Sequence, residues 1–406
     1  MSDFRRLWFG QTVSLLGSSV GSVALSLVTV VTLHADPFTV GLVNAAYWLP
    51  WLAIGLPAGA WVDRLGRHRL VMMTGDAVSF LAFASVPVAA WFGALTVAHV
   101  LVATLVGGCA KVFFTMAYRA FVPALVRGDD LLTANAKLQA SESTTQVVGP
   151  GLAGLLAQIL TAATGVLVDA LSFLVSLLYL RKTGDYRQAP RPRQRLRTEI
   201  GEGLRFVAHD PLLRVLTCFG AVSNLALTGY QSLAVVFLVR DVGVDSAIVG
   251  VMFAVGGMGG VVGSLIAGRL ARRFGTARAV LLCQVFGLPP ALLIPLTQPG
   301  IGLVVFGVGV LAAGVGVVAS NVIQGTFRQR YCPPEMFARI MASGSVVNYG
   351  TIPLAGVLSG GLADAFGVRT TMWLMTGLSA ASVLILLASR IRRLRDFPVP
   401  LSAPVG

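Results

Sequence analysis

Charge is scarce in this sequence. Of 406 residues only 12% are Asp, Glu, Lys or Arg, whereas 55% are apolar and the mean hydropathy is +0.80. A soluble domain carries roughly 25% charged residues, so water is not the main solvent of this chain. Lysine is nearly missing, with 3 Lys against 28 Arg, a ratio that a GC-rich genome explains without any ligand. The net charge of +14 would indicate a nucleic-acid partner if the basic residues formed one continuous face. They are instead scattered between hydrophobic segments, so no nucleic-acid partner is expected. Cysteine is sparse too: Cys109, Cys218, Cys283 and Cys332 have no CxxC spacing, which excludes a disulfide framework or zinc site of the usual pattern. His34, His68, His99 and His209 are equally dispersed, and no metal or cofactor is expected.

Enzyme signatures fail on context. Gly17, Ser19 and Gly21 satisfy GxSxG, but a nucleophile elbow needs a strand before it and a helix after it, not the middle of a hydrophobic run. Gly307, Gly309 and Ala312 imitate a dinucleotide loop in the same wrong setting. With no Walker loop, ATP is not the direct energy source, and the chain is read as a non-enzyme.

Long hydrophobic runs are what the sequence does have. A bilayer span needs about 20 apolar residues. The runs place spans near 8–33, 38–62, 69–92, 95–117, 141–162 and 163–180, then near 212–239, 246–271, 277–297, 300–323, 341–364 and 368–390. Lipid offers the backbone no hydrogen-bond partners, so segments of this length must be helices and the fold class is an all-α integral membrane protein with 12 transmembrane helices. The first run follows a basic start, as in a signal peptide, but no convincing cleavage site follows it, and it is read as a retained span.

Positive loops stay in the cytoplasm. Of the 31 basic residues, 28 fall on one side of this layout, only Arg240 and Arg369 fall on the other, and Lys111 lies inside a span. Both termini are therefore expected in the cytoplasm, with an even number of spans.

The two halves resemble each other, as in many transporters built from internal repeats. GAWVDRLGRHR (59–69) after span 2 is echoed by GRLARRFGTAR (268–278) after span 8, an offset of 209 in a chain whose half-length is 203. PGLAGLL from Pro150 in span 5 is echoed by PLAGVL from Pro353 in span 11. The expected organisation is a six-helix half over 1–180, a cytoplasmic linker over 181–211, a second pseudo-symmetric six-helix half over 212–392 and a cytoplasmic tail over 393–406. The linker has the only sustained Pro and Arg richness and reads as a solvated tether, with anionic-lipid contact as the alternative.

In GAWVDRLGRHR, Gly59 permits close helix approach, Asp63 can meet a positive helix N-terminus or an arginine, and Gly66 makes the tight turn. Arg64, Arg67 and Arg69 hold the loop on the cytoplasmic side. The motif resembles that between spans 2 and 3 of the major facilitator superfamily, and the two-half layout resembles that family over nearly the whole chain. FVPALVRGDDLLTANAKL (121–138), VVGPGLAGLL (147–156), VDALSFLVSLL (168–178) and EGLRFVAHDPLLR (202–214) resemble its drug:proton antiporters, which include enterobactin exporters and macrolide efflux proteins.

That resemblance implies secondary export of an amphipathic small molecule across a bacterial inner membrane, powered by a proton gradient. It also implies that Gly59, Asp63, Arg64, Gly66 and Arg67 form a conformational latch and that Gly149, Pro150 and Gly154 bend and pack span 5. Three departures stand out. Arg272 occupies the acidic position of the second motif copy, Thr145 replaces an earlier glycine of the span-5 motif, and an Arg-centred span-4 motif is not evident unless Lys111 serves in its place. An importer of a small metabolite on the same fold is the alternative, followed by a non-transporting receptor or scaffold.

Ionisable residues inside spans are costly and therefore carry the mechanistic expectations. Asp76 in span 3, Lys111 in span 4, Glu142 at the start of span 5 and Asp169 in span 6 are the candidates for coupling or substrate contact. Gln11, Asn44, Gln146, Asn224, Gln231, Asn321, Gln324 and Asn348 add uncharged polarity that either lines a cavity or bridges helices. The glycine run GGMGGVVGSLIAG in span 8 reads as a packing surface. The expected partners are a small-molecule substrate and membrane lipid, and one chain holding both halves suffices as a monomer.

Overall fold

Apolar runs punctuated by Pro, Gly and capping residues fold as the expected series of helices. The computed structural model describes residues 2–126, 130–184, 196–332 and 334–398, and contains no strand among them. The first six long helices are α1 (Ser2–Leu27), α2 (Pro37–Leu65), α3 (His68–Trp91), α4 (Val97–Leu125), α5 (Asp130–Ile159) and α6 (Ala162–Arg181). A shorter helix, α7 (Leu196–His209), precedes α8 (Pro211–Val236), α9 (Ser246–Phe274), α10 (Thr276–Gly287), α11 (Leu303–Tyr331), α12 (Pro334–Phe366) and α13 (Val368–Ala388). Ten helical segments are long and apolar enough to cross a membrane, and α5 and α12 stand where the sequence places the fifth and eleventh spans.

Local chemistry sets the helix ends. The Asp36 carboxylate accepts from the Thr39 N–H at 2.6 Å and Pro37 takes the first position of α2, where its missing N–H costs nothing. Gly66, at φ 58°, closes the same helix in the left-handed region that a side chain would disfavour. Pro289 and Pro290 remove the donors that would continue α10, so the chain goes on as a 3-10 segment, Pro289–Leu296.

The repeat is visible in the backbone. α1 and α8 each end in a five-residue π-helical turn, Val28–Thr32 and Phe237–Asp241. The bonds Leu33 N–H to Val28 O and Ala35 N–H to Thr29 O recur as Val242 to Phe237 and Val244 to Leu238. Each pair is 209 residues apart, the offset of the GAWVDRLGRHR echo.

The chain forms two compact units. The first holds Met1–Arg193, Gln231–Ala254 and Pro353–Val368, and the second holds Gln194–Tyr230, Val255–Ile352 and Arg369–Gly406. In the first unit, the start of α9 and the end of α12 pack on the N-terminal helices because paired glycines let backbones meet. A Cβ on Gly41 would lie 2.2 Å from the Gly356 carbonyl oxygen, and one on Gly154 would lie 2.8 Å from the Gly250 Cα. In the second unit, Gly259 and Gly263 seat α9 on α11, so the span-8 glycine run is a packing surface as the sequence suggests.

Part of the linker, which reads as a solvated tether, and the start of the tail are both structured. α7 rises out of the linker, with Val207 buried in the core of the second unit, and Asp210 then caps α8 by accepting from the Leu212 and Leu213 N–H groups. At the start of the tail, Phe397 is 5% exposed and stacks on Phe327 at 4.3 Å between ring centroids. Residues 185–195 and 399–406 lie outside the described residues.

Candidate functional site

The chemistry of the first unit gathers along α1, α3, α4 and α6. Along α1, Gly10, Gly17, Gly21 and Ala24 recur at three to seven residues and form one smooth strip. α6 lies against that strip: a Cβ on Gly17 would meet Ser172, and one on Gly21 would fall 2.2 Å from Oδ2 of Asp169. The enzyme-like GxSxG is thus the floor on which the Asp169 carboxylate rests. Ser19 faces α5, where a Cβ on Gly149 would lie 2.3 Å from the serine Cβ.

Asp169 is 5% exposed and Asp76, on α3, is 2% exposed. Ser18 and Tyr47 lie beside Asp169, and Ser176, two turns further along α6, lies beside Asp76. Lys111 stands on α4 within Coulombic range of both carboxylates and of Glu142, with its ammonium 5.7 Å from the Phe114 ring centroid. Three of the four ionisable candidates therefore share one electrostatic neighbourhood inside the helices, while Glu142 is exposed at its margin.

Several polar atoms of this group are buried without partners. Oδ1 of Asp169, Oδ2 of Asp76, Oε1 of Gln11, Oδ1 of Asn44 and Oγ of Ser18 are all enclosed and accept no hydrogen bond from the protein. An unsatisfied buried acceptor costs about 1–3 kcal/mol, and such groups in a native fold are accounted for by a bound water or ion, by stored strain or by a functional role. Protonation turns a carboxylate from acceptor into donor, which relieves the charge and supplies a hydrogen for a neighbouring acceptor.

Of the residues expected to form a latch, Arg64, Gly66 and Arg67 lie at the α2–α3 turn and Gly59 lies within α2. Gly59 sits 3.6 Å, measured from an added Cβ, from the Met116 sulfur; Arg64 and Arg67 are exposed, and the Asp63 side chain lies outside the described residues. Arg69 does more than mark topology: its guanidinium donates to the Leu180 carbonyl at 2.8 Å and to that of Arg181, closing the C-terminus of α6. Of the span-5 motif, Pro150 and Gly154 meet Gly250 of α9, and Gly149 meets α1. The two arginines on the opposite side are also engaged with backbone. Arg240 donates to the carbonyls of Val30 and Ala35 at 3.1 and 2.7 Å, and Arg369 to those of Pro295 and Thr297 at 2.9 and 3.3 Å.

Sequence reasoning missed Ser18, Tyr47 and Ser176 as neighbours of the carboxylates. The four-residue spacing of Gly17 and Gly21 was the available signal, because small residues so placed on one helix invite a second helix whose side chains then lie over them. Asp364, near the end of α12, accepts from the Phe38 N–H at 3.3 Å and so sits at the N-terminus of α2.

The chain resembles known proteins along most of its length. It is 30% identical over 349 residues to the multidrug efflux pump Tap of Mycolicibacterium fortuitum, covering 81% of this chain and 82% of that one. It is 24% identical over 381 residues to macrolide efflux protein A of Streptococcus pyogenes, covering 90% of each. The fold matches the crystal structure of nucleoside transporter NupG with a TM-score of 0.75 at 12% identity, over 97% of this chain and 100% of that one. The Major Facilitator Superfamily model matches residues 7–354 and 233–403, and this chain is accordingly a multi-pass membrane protein belonging to that superfamily.

Proposed function

We propose that the protein is a secondary transporter that exports amphipathic small molecules, drugs among them, from the bacterial cytoplasm in exchange for protons, acting as a monomer with both termini in the cytoplasm. The observation that supports the coupling is the pair of buried, incompletely partnered carboxylates, Asp76 and Asp169, both within Coulombic range of Lys111. The efflux names of the relatives supply direction and substrate class.

In this reading Asp169 gains a proton from the outer side, loses its charge interaction with Lys111, and so favours reorientation. Release of the proton inside restores the pair and commits the next cycle. Ser18 and Tyr47 flank the carboxyl group, and Gln11 and Asn44 offer acceptors to substrate or water. The latch residues Gly59, Asp63, Arg64, Gly66 and Arg67 hold one end of the cycle, while Gly149, Pro150 and Gly154 provide the contact surface of α5. Glu142 stands at the margin of this electrostatic group.

The test uses everted membrane vesicles with an established proton gradient, challenged with macrolides, other lipophilic drugs and siderophores. The expected result is compound-specific dissipation of the gradient only when the protein is present, and its loss in Asp169→Asn. Wild-type proton-linked efflux by Asp169→Asn removes that residue as carrier, and drug-dependent uptake in energised cells would reverse the direction.

A further inference from the structure

The two α-helical repeats close the same seam in opposite ways. In the first unit, the C-terminus of α6 is closed by side chains: Arg69 donates to Leu180 and Arg181, and Arg6 donates to the Lys182 carbonyl at 2.7 Å. The 209-residue offset pairs Arg69 with Arg278. In the second unit, Arg278 contributes its backbone instead. The N–H groups of Ala277 and Arg278 donate to the Arg395 carbonyl at 3.1 and 3.2 Å, and Asp396 accepts from the Thr276 N–H at 2.8 Å.

Residues 390–397 thereby form a strap across the α9–α10 turn. Phe397 anchors its end, its N–H donating to the Thr276 hydroxyl at 2.8 Å. The turn itself is shaped to receive the strap: Gly275 has φ 88°, and a Cβ there would lie 2.3 Å from the Arg395 carbonyl oxygen.

Because backbone groups close this seam, its guanidinium groups are left over. Arg269, Arg272, Arg273 and Arg278 of the turn and Arg390, Arg392, Arg393 and Arg395 of the strap are all exposed, and the strap brings the two sets together. Among described residues only Arg395 of this group approaches an acid, at 3.9 Å from Asp396. Arg273 lies 5.6 Å from the ring of Phe274, itself 38% exposed, so an apolar ring sits within the basic patch. The bias of arginine toward one side explains that such residues occur here. It does not explain why this repeat withholds them from carbonyls that the other repeat caps with arginine.

The geometry points to a binding surface for anionic phospholipid headgroups of the cytoplasmic leaflet, built from the strap and the α9–α10 turn. Planar guanidinium groups pair with phosphate oxygens in a bidentate way, and their position at the ends of membrane-spanning helices puts them at headgroup depth. Phe274 is placed to enter the acyl boundary beside them. Docked lipid would in turn hold the strap on the turn, tying the C-terminus to α10.

The experiment titrates phosphatidylglycerol into the full-length protein in phosphatidylcholine-containing micelles, reading melting temperature and, by native mass spectrometry, retained lipid. Each basic residue near an anionic surface is worth about fivefold in affinity, so R272A/R273A/R392A/R393A should weaken phosphatidylglycerol binding on the order of several hundredfold. Its melting temperature in phosphatidylcholine alone should match the wild type. If that variant does not fold, R392A/R393A, confined to exposed strap positions, should still show about a 25-fold loss. Undiminished phosphatidylglycerol retention in either folded variant overturns the proposal. So does an equal thermal shift from glycerol phosphate at the same concentration, which would mark a site for free phosphate.

Discussion

The contact between Gly21 and Asp169 gives the sharpest test of the carboxylate site. In Gly21→Ala the new methyl would lie 2.2 Å from Oδ2, 2.6 Å from Cγ and 2.7 Å from Cβ of Asp169. Rotating the carboxylate relieves the first two overlaps but not the third. Reaching an ordinary 3.4 Å from the aspartate Cβ requires α1 and α6 to separate by about 0.7 Å. Overpacking of this kind costs about 1–3 kcal/mol, which lowers a melting temperature by roughly 2–10 °C.

A matched control lies one turn away. Gly165→Ala places its methyl 2.5 Å from the Ala24 Cβ, at the same helix pair but away from the carboxylate, and Ala24→Gly removes the obstruction. Gly165→Ala should therefore lose stability, and the double variant Ala24→Gly/Gly165→Ala should recover both stability and transport. Gly21→Ala should lose stability and also transport, because a reacting group displaced by about 1 Å forfeits up to about a hundredfold in rate. The assays are thermal melting in detergent and proton-linked drug efflux in vesicles. A Gly21→Ala variant with wild-type efflux would refute the reasoning, as would a double variant that stays as unstable as Gly165→Ala alone.

Two further outcomes follow from the side of the first unit that carries Asp36 and Arg240. Arg240→Ala leaves the carbonyls of Val30 and Ala35 without their donor and should speed hydrogen exchange over residues 28–36, with Arg240→Lys restoring only part of the protection. At Asp36, the hydrogen bond from the Thr39 N–H holds the carboxyl below its ordinary value, with the nearby Arg240 charge adding to the effect. A depressed pKa means that the folded state favours the carboxylate. Its stabilisation is therefore complete above the usual carboxylate range and fades as pH falls through the lowered value. Asp36→Asn should flatten that acid limb of the melting-temperature profile; an unchanged limb would show that Asp36 does not set it.

The positions of the helices were legible because hydrophobic length is a one-dimensional property: twenty apolar residues bounded by arginine or glycine have one outcome in a bilayer. Asp76, Lys111 and Asp169 were legible for the same reason, as charges where charge is costly. Their convergence was not, since it depends on which face of α1 meets α6, and glycines at 17 and 21 carry that information without a side chain to advertise it. Nor is the exposure of Glu142 evident from its place in a span. The strap was hidden in another way. Its Arg-rich sequence reads only as a cytoplasmic tail, and the pairing of Asp396 with the α10 N-terminus and of Phe397 with Phe327 shows that it is bound. The apparent enzyme signatures dissolve similarly: Gly17 and Gly21 seat α6, and Gly309 seats the 3-10 segment, in a family of transporters.

The paired π turns carry a record of ancestry. A π turn closes over five residues where an α turn closes over four, so each is a helix holding one residue more than its regular ladder accommodates. Such turns are uncommon, and two independent insertions at equivalent sites, followed by the same pair of backbone bonds, would be a strong coincidence. The shared 209-residue spacing with the GAWVDRLGRHR echo makes inheritance the simpler history. The same extra residue at the same offset marks the two repeats as copies of one backbone plan, even though the loops one helix further on carry Asp63 in one copy and Arg272 in the other.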